Sequence, residues 1–584
     1  MQQRIPVITS IEIEEFAGGV VTVPQALVTN GIFMPRANGE MYVTQRPSIN
    51  IAIDASAVVS DVRGRGIFYW TIKDKLYFVN DNKVYYGDYT AEVVEAAVTV
   101  SDVTGVAGTA TVTTAAPHGY KTDDKITIAG TTSYNGEYVI IKTGASAFTF
   151  AHAATTSEPG SATRRLGGGG HDRVYFLEIG SYLVILDPED NAGWYIIDSN
   201  PQVLVEITGA GFPSHINSLA LARGGAVLDG TLYVMDTLGT IANSDIEDPT
   251  TWDVLGFIEA EVEKDGGVML AKHNNHLVAF GNRTIEYFYD AANPAPASPL
   301  SVRQDVSHEI GMAAFDSVWS SNNELFFVAQ ARTGSLGVYR MRSFTVEEIS
   351  PPVLDTLLTS AVNTDGLEFF GSGFTAGNDS YYVLTIYQLN TDAESLESFV
   401  FNSRTSTWTR FELMHSGIDD CPIMDFTVAN ATQLGKGILI NGDIVTIADD
   451  LAPQDSVLAQ GGVFEDDPPV FELGVFTNAS PGYGTDISME IITGQSDHQT
   501  INRKFMSSLR LVGPKTSASQ TMTVEWSNES NSAYNTFSTI DTSIPGRRIP
   551  RLGSYRQRNF KLTYAGSERI ELDALEAEVN AGKY

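Results

Sequence analysis

Within 584 residues, 71 Asp and Glu oppose 37 Lys and Arg, for a formal net charge of −34. So acidic a chain excludes general attachment to nucleic acid, which needs clustered basic charge to displace counterions. The length exceeds one ordinary core and implies two to four domains, and the single cysteine, Cys421, excludes an intramolecular disulfide and fits a reducing compartment. Glycine (52), tyrosine (24) and phenylalanine (28) are plentiful, and long amphipathic helical patterns are nearly absent, so an all-β chain rich in turns is expected. The opening stretch lacks the basic-then-apolar pattern of a secretion signal. No apolar run approaches the ~18 residues of a membrane span, so a soluble protein is expected.

In chain order, residues 1–65 read as an N-terminal extended segment, with Ala26-Leu27-Val28 and Ile51-Ala52-Ile53 as short apolar pieces. The first clear unit is 66–89, in which strands Ile67–Ile72, Leu76–Val79 and Lys83–Gly87 are joined by two- or three-residue turns, an up-and-down meander. The same rhythm returns at 173–198, 224–244, 268–289, 325–350, 381–413 and 438–450. Meanders repeating every 40–50 residues or so are the pattern of a β-propeller. The expected core is therefore propeller-like, built from 66–97 and 166–450 with six or seven blades; stacked sandwiches are the competing arrangement. Residues 98–165 are Thr-rich and strongly alternating, with turns at Asp123-Asp124 and Tyr134-Asn135-Gly136, and form an inserted small β module. This stretch resembles a module that recurs in phage tail and virion proteins. It is flanked by Arg164-Arg165 at its end and by Gly167 to Gly170, four glycines that form a flexible re-entry into the propeller. Residues 451–474, with Pro468-Pro469, read as a linker or arm. Residues 475–584 form a C-terminal β-sandwich-like domain with strands at Ile487–Thr493, Ser507–Val512, Thr521–Trp526, Asn559–Tyr564 and Ile570–Val579.

The stretch from Phe280 to Ser350 is the most distinctive. Thr284 to Tyr289 is β-branched and aromatic, and Asn293 to Pro299 holds three prolines and cannot be regular structure. Leu325-Phe326-Phe327-Val328 is apolar throughout, and Val338-Tyr339-Arg340-Met341-Arg342 alternates as a half-buried strand does. Through Phe280, Gly281, Ile285, Glu286, Phe288, Gly311, Ser317, Phe327, Gly337, Val338, Tyr339 and Ser350, it resembles the tail hub (nozzle) proteins of short-tailed bacteriophages. That group is also called packaged-DNA-stabilisation or head-completion proteins. Gln45-Arg46-Pro47 resembles the family's entry to its first strands. Arg547, Arg548, Arg551, Leu552, Gly553, Arg556, Arg558, Phe560 and Leu562 resemble its C-terminal segment, although Ile549 or Pro550 stands where the family has an aromatic. The resemblance covers roughly 20–95 and 170–584. It implies a structural virion protein of the tail, assembled in the host cytoplasm. It further implies a homo-hexameric ring under the portal and adaptor rings, carrying fibres, spikes or a needle-like plug. The ring would retain viral DNA and then pass it without binding it specifically.

For chemistry, His273 and His276 are the one close histidine pair, without a third ligand nearby, and His308-Glu309 begins a zinc-protease pattern that does not continue. No cofactor or metal is expected, and no enzyme activity. The alternative is a phage-borne propeller glycosidase or wall-degrading enzyme, which would need two converging carboxylates; Trp526 to Phe537 faintly resembles a structural turn of sialidase-like propellers but lacks its glycine and tryptophan. Arg547, Arg548, Arg551, Arg556, Arg558 and Lys561 form the largest basic cluster, free of acids from 542 to 567. Arginine dominance suits charge-assisted contact with carboxylates of a neighbouring copy or ring. The acid-rich loops Asp245, Glu247, Asp248, then Glu259, Glu261, Glu263, then Glu465, Asp466, Asp467 are the candidate channel-lining residues.

Overall fold

The computed structural model describes residues 2–5, 12–13, 16–17, 20–21, 24–46, 49–53, 64–87, 91–167, 172–199, 202–215, 219–260, 262–362, 367–376, 379–388, 396–411, 423–429, 434–439, 444–447, 488–494, 502–528, 534–566 and 568–582. Cys421, Gly168 to Gly170 and residues 451–474 lie outside the described residues. Nearly all regular structure is strand, so the chain is all-β and propeller-like.

The propeller has seven four-stranded meanders. Their first strands are Gly64–Trp70, Tyr175–Ile179, Ala226–Leu228, Gly267–His273, Ile310–Ser321, Leu367–Ala376 and Ile423–Ala429, which open blades 1 to 7. Each first strand contacts the next, and the last contacts that of blade 1, so the ring is closed and these strands surround its axis. Blade 7 is completed from far away. Its fourth strand is Ile49–Ile53, paired antiparallel to Ile444–Ile447. The outer strands of blades 1 and 2, Glu92–Glu95 and Val203–Glu206, pair in parallel and cap each other's edges. Tight turns use Asp and Asn in the left-handed region, as at Asp74 (φ 52°) and Asp229 (φ 48°), where these residues tolerate positive φ best after glycine.

One expectation is corrected within blade 5. The strand Leu336–Arg342 is not half-buried: all but Arg342 are inside, because a blade is covered on both faces by its neighbours. Arg340 is accommodated there by Glu347, 2.7 Å from its Nε. A helix, Pro352–Val362, follows blade 5. Pro352 sits in its first turn, where proline costs no hydrogen bond, and Leu354, Leu357 and Leu358 at helical spacing join a core with Phe326, Phe369 and Phe401.

The stretch 98–164 forms its own seven-stranded sheet, around a core of Val100, Val103, Val112, Tyr120, Ile126, Phe148 and Phe150 among others. Strict alternation builds it; Thr109–Thr114 is exposed and buried by turns. The C-terminal residues form two facing sheets. One orders Pro24–Thr29, Met489–Ile492, Asn559–Tyr564, Thr521–Ser527 and Asn535–Asp541; the other contains Gln2–Ile5, Ala574–Ala581, Lys504–Val512 and Arg548–Pro550. Their shared core includes Val28, Phe33 and Val43 beside Ile491, Leu509, Leu562 and Leu575. The N-terminal stretch is thus divided between this sandwich and blade 7. Thr29 also pairs in parallel with Arg410 on the outer strand of blade 6, tying the sandwich to the propeller.

Candidate functional site

The propeller axis is crossed by side chains. Arg173, just before the first strand of blade 2, donates from NH1 to the carbonyls of Asp316 on blade 5 (3.2 Å) and Gly371 on blade 6 (2.9 Å). Tyr175 donates its hydroxyl to Asp316 Oδ1 at 2.5 Å, and Tyr382 donates to the Ser317 carbonyl at 2.7 Å. Burial pushes the Asp316 carboxyl up to about 6, with Arg223 opposing the rise. Arg223 itself pairs with Asp172 and lies over the Phe315 ring, 4.4 Å from its centroid. Arg65, wholly buried, holds Asp187 through both guanidinium nitrogens (2.7 and 3.0 Å). Asp316 at the axis is thus engaged by donors from blade 2 on the opposite side of the ring, while Arg65 and Asp187 join the neighbouring blades 1 and 2.

A second polar centre fastens the module 98–164 to blades 1 and 2. Arg164 reaches Glu95 (2.9 Å) and Glu206 (2.8 Å) on the two capped outer strands and Asp124 (3.1 Å) of the module itself. Its guanidinium carbon lies 4.7 Å from the Trp194 ring centroid. Lys121 adds a bond to Glu206 at 2.7 Å, and Arg165 pairs with Glu92 and Glu137. Burial works against the Arg164 charge, but Glu95, Glu206 and Asp124 outweigh it and hold the group charged. Burial raises Glu95, with Arg164 opposing; burial also works to raise Glu206, but Arg164 and Lys121 prevail and hold it low. The sequence showed Arg164 only as half of a basic doublet, because its partners lie 69 and 42 residues away.

The basic C-terminal cluster is split by the fold. Arg547 is buried and donates to the Pro514 carbonyl at 2.7 Å; burial lowers its basicity. Arg558 is buried between Tyr555 and Trp526, 4.2 and 4.5 Å from the ring centroids, and burial pushes it down to about 10. Lys561 pairs with Glu490 at 2.6 Å. Arg548, Arg551 and Arg556 are exposed, with Arg551 at φ 64° in a tight turn.

Of the acids, Asp245 and Glu247 are exposed and Asp248 half-buried at the turn before the outer strand of blade 3, and Glu259 is exposed at that strand's end. Glu263 pairs with Arg332. Glu261, Glu465, Asp466 and Asp467 lie outside the described residues. Asp248 and Glu259 begin and end the outer strand of the blade, which stands away from the axis-lining first strands. His273 is buried in the first turn of blade 4 and His276 bonds Arg303 at 3.2 Å beside an open cleft of about 990 Å³; His308 bonds the Phe344 carbonyl at 3.1 Å. Among the described residues no three metal-ligating side chains converge, and no helix is long and apolar enough to cross a membrane.

No curated protein matches the chain. Solved structures that align with it include the computationally designed Ika8 protein, at 10% identity, covering 68% of this chain and 99% of that one with a TM-score of 0.31. An exo-β-1,3-galactanase from Phanerochaete chrysosporium aligns at 12% identity over 69% and 95%, with a TM-score of 0.24. BamB from Moraxella catarrhalis aligns at 12% over 62% and 100%, with a TM-score of 0.26. At such scores these alignments carry no argument about activity. Residues 204–367, which hold blades 3 to 5 and the helix, match the family model described as bacteriophage P22 Gp10, β-propeller, of the phage-stabilisation family. The family model that matches these residues is that of the group which the pattern at 280–350 resembled.

Proposed function

We propose that this protein is a structural subunit of the tail hub of a short-tailed phage, completing the head and retaining the packaged genome. The observation that carries the reading is the family match across the three central blades. The braced axis supports it: Arg173, Tyr175 and Asp316 tie opposite blades together where a propeller enzyme would open its pocket. In this reading the chain forms a homo-hexameric ring beneath the portal and adaptor rings, and fibres, spikes or a plug attach to it. The exposed Arg548, Arg551 and Arg556 contact acidic surface on a neighbouring copy or ring, while Arg547, Arg558 and Lys561 hold the segment in shape from within. The acid excess, −34 over the chain, keeps duplex DNA off the channel wall over about a Debye length, roughly 8 Å at physiological salt. DNA retention then rests on a constriction or plug rather than on binding.

The test is a reconstruction of intact particles. Six copies in an axial ring below the portal support the reading; a location off the tail axis, or absence from the particle, refutes it. Hydrolysis of cell-wall glycan by the purified protein would favour the enzyme alternative instead.

A further inference from the structure

Exposed large apolar side chains are not scattered evenly over this protein. Of fifteen among the described residues, six fall between Leu238 and Val262: Leu238, Ile246, Val254, Leu255, Phe257 and Val262. Val254, Leu255 and Phe257 lie on the outer strand of blade 3, Leu238 and Ile246 at its turns, and Val262 in the connection to blade 4. The fourth strand of blade 3, Asp248–Glu259, pairs only with Thr240–Asp245, so its other edge is open among the described residues. The edges of blades 1, 2 and 6 are capped by strand pairing. The open outer strands of blades 4 and 5, Leu300–His308 and Thr345–Glu348, expose no large apolar side chain and carry charge at Asp305, Glu347 and Glu348, the usual protection of an edge. Blade 3 instead presents Leu255 at 61% exposure and Phe257 at 44%.

The charge around this row has one sign. Residues 238–265 contain eight acids and one base, Lys264. Among the described residues, Asp245, Glu247, Asp253 and Glu259 are exposed and form no ion pair. A bulge spans 253–256, where the register steps from Ser244↔Trp252 to Ala242↔Phe257, and Asp253 accepts the Leu255 amide at 2.9 Å to fix its shape. The bulge turns Val254 and Leu255 outward together. Ladder bonding is thereby limited to the strand's end, and most of the contact must be side chain on side chain.

We propose that the outer edge of blade 3 is a docking site for an extended segment of another protein in which apolar residues alternate with lysine or arginine. The apolar side chains would cover Val254, Leu255 and Phe257, and the basic ones would face Asp253 and Glu259. An acidic or uncharged strand would leave those carboxylates unpaired on contact, and a purely basic one would leave the apolar row in water. The site does not depend on the virion reading and can stand or fall alone.

The experiment uses the full chain and labelled peptides of 12 residues, the length of the strand. One peptide alternates valine with lysine, one valine with glutamate, and one serine with lysine, read by fluorescence anisotropy. The valine–lysine peptide should bind at least about tenfold more tightly than either other. It should weaken as salt rises from about 0.05 to 0.3 M and lose about tenfold affinity in the double variant Leu255→Ser, Phe257→Ser. Both side chains are exposed, so the variant should unfold at the wild-type temperature. Asp253→Lys with Glu259→Lys provides a second arm and should invert the preference toward the valine–glutamate peptide. Equal binding of the two basic peptides, or full binding to the serine variant, would overturn the proposal. So would self-association of the chain that the serine variant abolishes and the peptide does not compete, because the occupant would then be a second copy.

Discussion

Replacing Arg164 with methionine should detach the 98–164 module from the propeller without unfolding either part. The side chain is 3% exposed, and its partners Glu206, Asp124 and Glu95 are 5, 10 and 20% exposed. Methionine keeps most of the volume, so what is lost is charge. Three carboxylates would be left with Lys121, itself 46% exposed, as their remaining cation. Removing one member of a buried ionic group costs about 3–5 kcal/mol, and the lost stacking on Trp194 adds about 0.5–1 kcal/mol. Proton uptake by the stranded carboxylates gives some of this back, leaving about 3 kcal/mol. The module keeps its own core, and the propeller keeps the parallel pairing of Val94 with Val203. The loss should therefore appear at their junction. Hydrogen exchange should quicken at Glu92–Glu95 and Val203–Glu206, and cleavage between 165 and 172 should accelerate, while Thr109–Thr114 stays protected. The deficit should narrow below about pH 5, where carboxylates protonate and no longer need a cation. Arg164→Lys should fall between, since an ammonium cannot fork to several carboxylates. Unchanged exchange at both outer strands, with stability within about 0.5 kcal/mol of wild type, would refute the reasoning.

Asp316 gives a pH dependence of opposite sign to the usual acid. Its carboxyl is raised from 3.8 to about 6, so the native state holds the proton more tightly than the unfolded chain. Its contribution is full below about pH 4 and is lost as pH rises to about 6, an effect of about 3 kcal/mol; denaturation of Asp316→Asn across that window should lack this slope. At Gly371 an added Cβ would stand 1.8 Å from the Ser317 carbonyl oxygen of the preceding blade, so Gly371→Ala should cost about 1–3 kcal/mol. Gly144→Ala, whose Cβ meets only Ala147 at 3.8 Å, should be near neutral by the same thermal melts. Reversing the exposed pair, Arg551→Glu with Arg556→Glu, should spare monomer folding but impair ring assembly in sedimentation, whereas Arg558→Glu should destabilise the sandwich by burying a carboxylate against Trp526 and Tyr555.

The propeller was legible because each blade is local: a strand, a tight turn and the next strand lie within some 40 residues, and alternation marks them. What escaped depends on distance along the chain. Nothing in Ile49–Ile53 announces that its partner is Ile444–Ile447, and Thr29 beside Arg410 is equally remote. The helix at 352–362 went unmarked: it is a single short helix among strands, and it opens on Pro352, which is welcome in a first turn. The basic cluster was found as a cluster, but composition cannot tell Arg558, stacked inside, from Arg556, outside. The acids at 245–259 were conspicuous in the sequence. The apolar row between them was not, because Val254, Leu255 and Phe257 look like any strand interior until a bulge turns them outward.

The borrowed fourth strand of blade 7 sets a timetable for synthesis. Ile49–Ile53 leaves the ribosome early, yet the residues it pairs with are made almost four hundred positions later. At about 5–20 residues per second that interval is on the order of 20–80 s. Throughout it, a stretch reading Ile-Asn-Ile-Ala-Ile, uncharged and strongly β-forming, has no native partner. Pro24–Thr29 waits longer still for Met489–Ile492. Nascent chains on one message, each presenting the same unpaired strands, could exchange them, with the early strand of one copy closing the ring of another. Yield should therefore depend on how fast and how densely the message is translated, and slower initiation should raise the fraction of correctly closed rings.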